Sequence, residues 1–174
     1  NTNDMWESYS RSLWATAVKT LPSNAVIWDV GSYNAYYSMM ARSIRSDIFV
    51  FAFEPHPNNI KNIKQNLISN NMDRDIELFE AALVGDDKTT TIALHITNDI
   101  NMPSGSSIIE STSRKTQRIV EVEAMCGDYV KLKPNLIKIE VEGAEYDVLI
   151  GMKNILQDVK PIILFEMLEE DSRV

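Results

Sequence analysis

Cysteine and histidine are scarce: Cys126 is alone among 174 residues, and the only histidines are His56 and His95. A lone cysteine forbids a disulfide within one copy of the chain. The histidines stand 39 positions apart with no CxxC or HxxxH spacing, which argues against a thiolate or imidazole zinc site. No metal ligands are assigned, although 25 carboxylates leave an oxygen-ligated magnesium or calcium open. Basic residues are outnumbered 17 to 25, giving a net charge of -8, the wrong sign for gripping a phosphate backbone, so nucleic acid is not an expected partner. No apolar run approaches the roughly 18 residues of a membrane span, and the first residues lack the basic-then-apolar order of a signal peptide. The reducing cytoplasm is the expected compartment.

The remaining composition is that of an ordinary folded domain, 44% hydrophobic and 24% charged. Short apolar runs rich in β-branched residues alternate with helical stretches, which predicts an α/β fold with a mostly parallel sheet covered by helices on both faces. The expected helices are Trp6 to Thr20, Tyr36 to Ile44, Asn58 to Ser69 and Ala144 to Leu156. The expected strands are Val26 to Val30, Ile48 to Phe53, Asp75 to Leu83 with its exit loop, Leu136 to Val141 and Ile162 to Met167. Between Lys88 and Met125 two β-like segments flank a polar stretch, which reads as an inserted β-hairpin with a mobile loop.

The first strand ends in Asp29-Val30-Gly31 and the second in Glu54, 25 positions later. In an open α/β sheet the ligand lies beyond the carboxyl ends of the strands, where a glycine admits backbone and an acid accepts hydrogen bonds from a ribose diol. A dinucleotide needs repeated glycines for its pyrophosphate, and the loop GSYNAYYS keeps only Gly31, with Asp29 just before it. S-adenosylmethionine, with a sulfonium, an ammonium and a ribose, suits that acid better. A strand-end turn plus a solvated acid is the plain alternative. In the segment Leu136 to Val141, Lys138, Glu140 and Glu142 alternate with Ile137, Ile139 and Val141. Charges on a strand of a parallel sheet need either a functional cleft or a solvent-facing edge, and their place at the strand's carboxyl end favours the cleft.

The runs VIWDVGSYNAYYSMMA, FAFEPHPNNIKNIKQNLISNN, FEAALVGDD, GSSII, PNLIKIEVEGAEYDVLIGMKNIL and KPIILFEM resemble, in this order over about residues 24 to 168, the FkbM family of S-adenosylmethionine-dependent methyltransferases. The resemblance implies a Rossmann-like class I methyltransferase fold and O-methylation of a hydroxyl on a sugar, polyketide or other small metabolite. It places Asp29, Gly31 and Ala35 in the cofactor loop, Glu54 at the ribose hydroxyls, and Glu80 and Ala81 at the adenine. Glu140, Glu142 and Glu145 fall near the methionine end of the cofactor and the acceptor. The implied organisation is one domain over 1–174: an N-terminal helix 1–22, a cofactor-binding half 23–87, a hairpin insert 88–125 and an acidic-site half 126–174.

Tyr33 and Ala35 depart from the family's usual Asn and second Gly, so the β-carbon of Ala35 is expected to crowd the cofactor. Glu140 replaces the usual Asp. With no histidine placed at the methyl group, Glu140 or Glu142 is the expected base or hydroxyl anchor, with Lys138 as charge partner. The final strand ends close to residue 167, so either the hairpin fills that sheet edge, or the chain is truncated, or the edge pairs with another copy as a homodimer. Two rival functions are a catalytically inactive binding domain of the same fold and a dinucleotide oxidoreductase.

Overall fold

A computed structural model describes residues 2–96, 106–108 and 118–165, with side chains from residue 8 onward. The elements in order are α1 (Thr2–Thr20), β1 (Val26–Val30), α2 (Tyr36–Ile44), β2 (Phe49–Phe53), α3 (Pro57–Ser69), β3 (Ile76–Phe79), β4 (Ala82–Val84), β5 (Thr91–Ile96) and β6 (Arg118–Cys126). A 3₁₀ turn (Gly127–Tyr129), β7 (Leu136–Ile139), α4 (Glu145–Ile150), α5 (Lys153–Asp158) and β8 (Ile162–Phe165) complete the chain.

Five strands form an all-parallel sheet in the order β3-β2-β1-β7-β8. Parallel strands with both faces covered read as apolar runs, and every residue of β1 and β7 is buried. Trp14, Val18, Ala41, Ile63 and Leu67 of α1, α2 and α3 cover one face, packing on Ile27, Val50, Ala52 and Leu136. Val148 of α4, Met152 at the N-cap of α5 and Ile155 of α5 cover the other, on Trp28, Phe53, Ile137 and Ile139. No described helix is long and apolar enough to cross a membrane.

Three expectations are corrected. Asp75 to Leu83 is two strands in two sheets: β3 pairs with β2, whereas β4 pairs with β6. After Phe53 the neighbouring chain runs into Pro55 and Pro57, which have no N–H to give, so the ladder ends once Glu54 N–H has donated to Phe79 O. Ala144 to Leu156 is two helices. A β-carbon on Gly151 would lie 2.0 Å from Val84 O, so the chain is pinned against β4 there. Asp128 then restarts the helix by accepting the N–H groups of Asn154 and Ile155, each at 3.0 Å.

The third concerns the hairpin. β5 and β6 do pair antiparallel, but β6 also runs parallel to β4, giving a separate sheet in the order β4-β6-β5. The hairpin therefore does not fill the edge beside β8. The polar stretch between its strands, apart from Ser106 to Ile108, and the expected end of the last strand at Met167 lie outside the described residues.

Candidate functional site

The strand order reverses between β1 and β7, and a cavity of about 1020 Å³ opens beyond their carboxyl ends. Its wall is built from the loop after β1 (Gly31 to Asn34), the end of β2 (Glu54 to His56), Ala81, the end of β7 (Glu140 to Glu142) and the described piece of the GSSII loop. That piece is tied down: Ser107 exchanges backbone hydrogen bonds with His95 of β5, at 2.8 and 3.2 Å.

Glu54 is buried, and its carboxylate organises two loops. Oε2 accepts the N–H of Tyr33 at 2.8 Å, and Oε1 accepts the N–H of His56 at 2.9 Å and the amide of Asn59 at 3.3 Å. Burial pushes its pKa above the ordinary carboxylate value, with those donors pulling the other way. His56 is the N-cap of α3, where Nδ1 accepts Asn58 N–H at 3.1 Å and Pro57 occupies the first turn. Burial lowers its pKa, which keeps it neutral.

Asp29 does not touch the cavity, because it lies behind the wall at 1% exposure. Helix α2 has no capping side chain at Ala35 and no acid in its first turn. Asp29 supplies the missing cap from the strand: Oδ2 accepts both the N–H of Ser38, at 3.1 Å, and its hydroxyl, at 2.7 Å. The other oxygen, Oδ1, faces Lys138 Nζ at 3.9 Å, since β1 and β7 pair Asp29 directly with Lys138. Lys138 is 6% exposed and reaches Glu140 Oε2 at 2.6 Å, with the Tyr37 ring 4.7 Å from its nitrogen. Burial alone would lower the Lys138 pKa, but Asp29 and Glu140 together raise it, so the ammonium stays charged. The charges on this strand thus belong to a central strand and a buried ion pair, not to a solvent-facing edge.

Gly31 is required by the protein's own packing. Its φ is +75° and a β-carbon would stand 1.9 Å from Glu140 O, so the loop after β1 and the end of β7 touch backbone to backbone. Glu140 leaves this junction with a half-exposed side chain on the cavity wall. Glu142 follows at φ 57° and Gly143 at φ 102°, a turn held by Glu145 Oε1, which accepts the N–H groups of Val141 at 3.1 Å and Gly143 at 3.3 Å. Glu145 is therefore the clasp of this turn and Glu142 its cavity-facing residue.

Of the residues expected at a cofactor, Gly31, Glu54 and Ala81 line the cavity with Lys138, Glu140 and Glu142, whereas Asp29, Ala35 and Glu80 do not. Glu80 turns outward to Lys64 of α3, 2.5 Å away. Ala35 is fully buried at φ 60°, so its β-carbon strains the backbone rather than crowding a ligand. A left-handed L-residue costs about 1 to 2 kcal/mol, and a glycine adds back about 0.4 to 1 kcal/mol of unfolded-chain entropy. Ala35→Gly is accordingly expected to leave ligand affinity unchanged and to hold or raise the urea midpoint; a clear loss of stability would show that the methyl group packs more than it strains. Sequence reasoning missed Ser10 and Arg11 of α1, Asn59, and Leu164 and Phe165 of β8, all on the cavity wall. Nothing in their local sequence distinguishes them, because only the packing of α1 and β8 brings them there.

A parallel sheet with this order, a glycine turn after β1, an acid ending β2 and an acidic turn after β7 make a Rossmann-like fold with its ligand crevice at the switch point. Residues 29–173 match the methyltransferase FkbM domain, and the chain belongs to that family. It is 30% identical over 153 residues to the hexuronic acid methyltransferase AglP of Haloferax volcanii, covering 80% of this chain and 54% of that protein. The chain thus spans about half the length of that relative. Among solved structures it is similar to methyltransferase FkbM from Methylobacillus flagellatus KT, with a TM-score of 0.58 and 14% identity, over 87% of this chain and 36% of that one. It is also similar to precorrin-6y C5,15-methyltransferase from Geobacter metallireducens GS-15, with a TM-score of 0.56 and 17% identity, over 92% and 63% of the two chains. At these identities the two structures establish the fold.

Proposed function

We propose that the chain transfers a methyl group from S-adenosylmethionine to a hydroxyl of a small acceptor, with a sugar of the uronic-acid type as the first to test. The observation that carries this reading is the charge of the cavity at the switch point. Among the described residues on its wall, Glu54, Glu140 and Glu142 oppose Arg11 and Lys138, and Asp29 stands directly behind Lys138. An acidic wall favours a ligand of net positive charge, as S-adenosylmethionine is, and repels a pyrophosphate. The family membership and the hexuronic acid methyltransferase relative support the same reaction class and acceptor type.

The donor set fits such a cofactor. Three of the roughly four lone-pair sites of the Glu54 carboxylate are taken by Tyr33, His56 and Asn59, and the one left, on Oε2, suits a ribose hydroxyl. Buried Ala81 and Phe53 offer apolar wall to a purine, and the carboxylates after β7 suit an ammonium or an acceptor hydroxyl. When bound, the cofactor supplies a methyl carbon already activated by its sulfonium. What remains for the protein is to align the acceptor oxygen and take its proton. Glu140, on the wall and steadied by Lys138, is the group we assign to that proton, with Glu142 as hydroxyl anchor.

Titration with S-adenosylhomocysteine tests the reading. Wild-type protein is expected to bind it and Glu54→Ala to bind it at least tenfold more weakly, since one charge-assisted hydrogen bond is worth about 1.5 to 3 kcal/mol. NAD is expected not to compete. Calorimetry with tight NAD binding and no response to S-adenosylhomocysteine would reverse the assignment.

A further inference from the structure

Arg11 stands on α1 three residues before Trp14, and Trp14 fixes where that turn of helix lies. The indole N–H of Trp14 donates to Tyr37 O at 3.0 Å, and its ring meets the Tyr37 ring edge-on at 5.7 Å. Helix α1 is thereby anchored at the start of α2, beside the buried Lys138. One turn further toward the N-terminus, Ser10 and Arg11 reach the cavity wall, where Tyr36 is also exposed.

We propose that Arg11 receives a carboxylate of a ligand bound in this cavity. The wall offers an incoming carboxylate two cationic side chains among the described residues. Lys138 is sealed between Asp29 and Glu140. The other ionised groups on the wall, Glu54, Glu140 and Glu142, are carboxylates and repel another. Arg11 is only half-buried on the cavity wall, and the five N–H donors of a guanidinium are enough in number to serve a partner within the chain and a planar anion together. An arginine on the wall of an otherwise acidic cavity is then a local reversal of sign, suited to a ligand that is cationic at one end and anionic at another, or to an anionic acceptor beside a cationic cofactor.

The carboxylate has two possible sources, the methionine end of the cofactor and a uronic-type acceptor, and binding measurements on the full chain separate them. S-adenosylhomocysteine is compared with 5′-methylthioadenosine, which keeps the adenosine and lacks the amino acid. D-glucuronate is compared with D-glucose in the presence of S-adenosylhomocysteine, followed by ligand-detected NMR. Arg11→Gln is expected to weaken one carboxylate ligand roughly ten- to hundredfold, with Arg11→Lys intermediate because it keeps the charge but loses the fork. A loss for S-adenosylhomocysteine without one for methylthioadenosine assigns the carboxylate to the cofactor. A loss confined to glucuronate assigns it to the acceptor.

The proposal is overturned if Arg11→Gln binds S-adenosylhomocysteine and glucuronate as the wild type does. It is equally overturned if methylthioadenosine and glucose weaken in parallel with them, since Arg11 then acts only on the shape of the cavity. The inference rests on the cofactor reading above, and its failure is separable. A wild-type chain that binds neither nucleoside refutes that reading and leaves the carboxylate proposal to the preference for glucuronate over glucose.

Discussion

Glu140→Gln is expected to slow single-turnover methyl transfer by about 10²- to 10⁴-fold while leaving S-adenosylhomocysteine affinity largely intact, the range of a lost general base. A hydroxyl is a weak nucleophile until its proton leaves, and no histidine is available for the task. His56 is spent on the N-cap of α3, and His95 does not line the cavity. Glu140 has the needed exposure on the cavity wall. It also has a fixed origin, because its carbonyl abuts Gly31 and its carboxylate is held by Lys138 at 2.6 Å. A base held in this way loses little freedom when the acceptor arrives.

Glu142→Gln is the informative partner. Its backbone is bent at φ 57° by the turn that Glu145 clasps, so the amide should keep the local fold and alter only the charge. An anchor is expected to raise the acceptor KM more than it lowers kcat, whereas a base lowers kcat. The two variants are compared by rapid quench with any acceptor the wild-type chain methylates. If both keep full rate, neither carboxylate takes the proton and alignment alone carries the reaction. If both lose cofactor binding, they are cofactor ligands.

Much of the sheet was legible because its strands are short apolar runs with abrupt ends. VIWDV stops at Gly31 and FVFAF at Glu54-Pro55, and both strands end there in the structure. The breaks between β3 and β4 and between α4 and α5 were not legible. Each is imposed by a neighbour distant in sequence, Pro55 in one case and Val84 with Asp128 in the other.

The site was half legible for a similar reason. Spacing placed Gly31 and Glu54 together, the carboxyl end of a charged strand and the family resemblance added Glu140 and Glu142, and the cavity collects all four. Asp29 and Gly31 also do internal work that no spacing reveals: Asp29 caps α2, and Gly31 clears the carbonyl of Glu140. Arg11 enters only because Trp14 docks α1 on Tyr37.

Lys138→Met is expected to cost about 3 to 5 kcal/mol near neutral pH, the range for breaking a buried ion pair by removing one partner. Methionine fits the volume, so the loss is electrostatic. Asp29 would keep its cap on Ser38 but lose the cation facing Oδ1, which accepts no hydrogen bond among the described residues.

The pH dependence gives the cause a signature. Burial already raises the Asp29 pKa above its ordinary value of 3.8, and Lys138 is the first of the influences that lower it. A carboxylate whose folded pKa lies above its unfolded one costs stability when ionised, and the cost vanishes as pH falls and both states take up the proton. Without Lys138 the raised pKa moves further up and the cost grows. The gap between variant and wild type in urea midpoint is therefore expected to be widest at neutral pH and to narrow on acidification, closing as the pH falls below the ordinary carboxyl value of 3.8. Asp29→Asn combined with Lys138→Met is expected to recover most of the loss, because asparagine still caps α2 through its carbonyl oxygen and leaves no buried charge. A single variant as stable as the wild type at neutral pH would mean that Lys138 is held there for Glu140 alone. A gap independent of pH would trace the loss to packing against Tyr37.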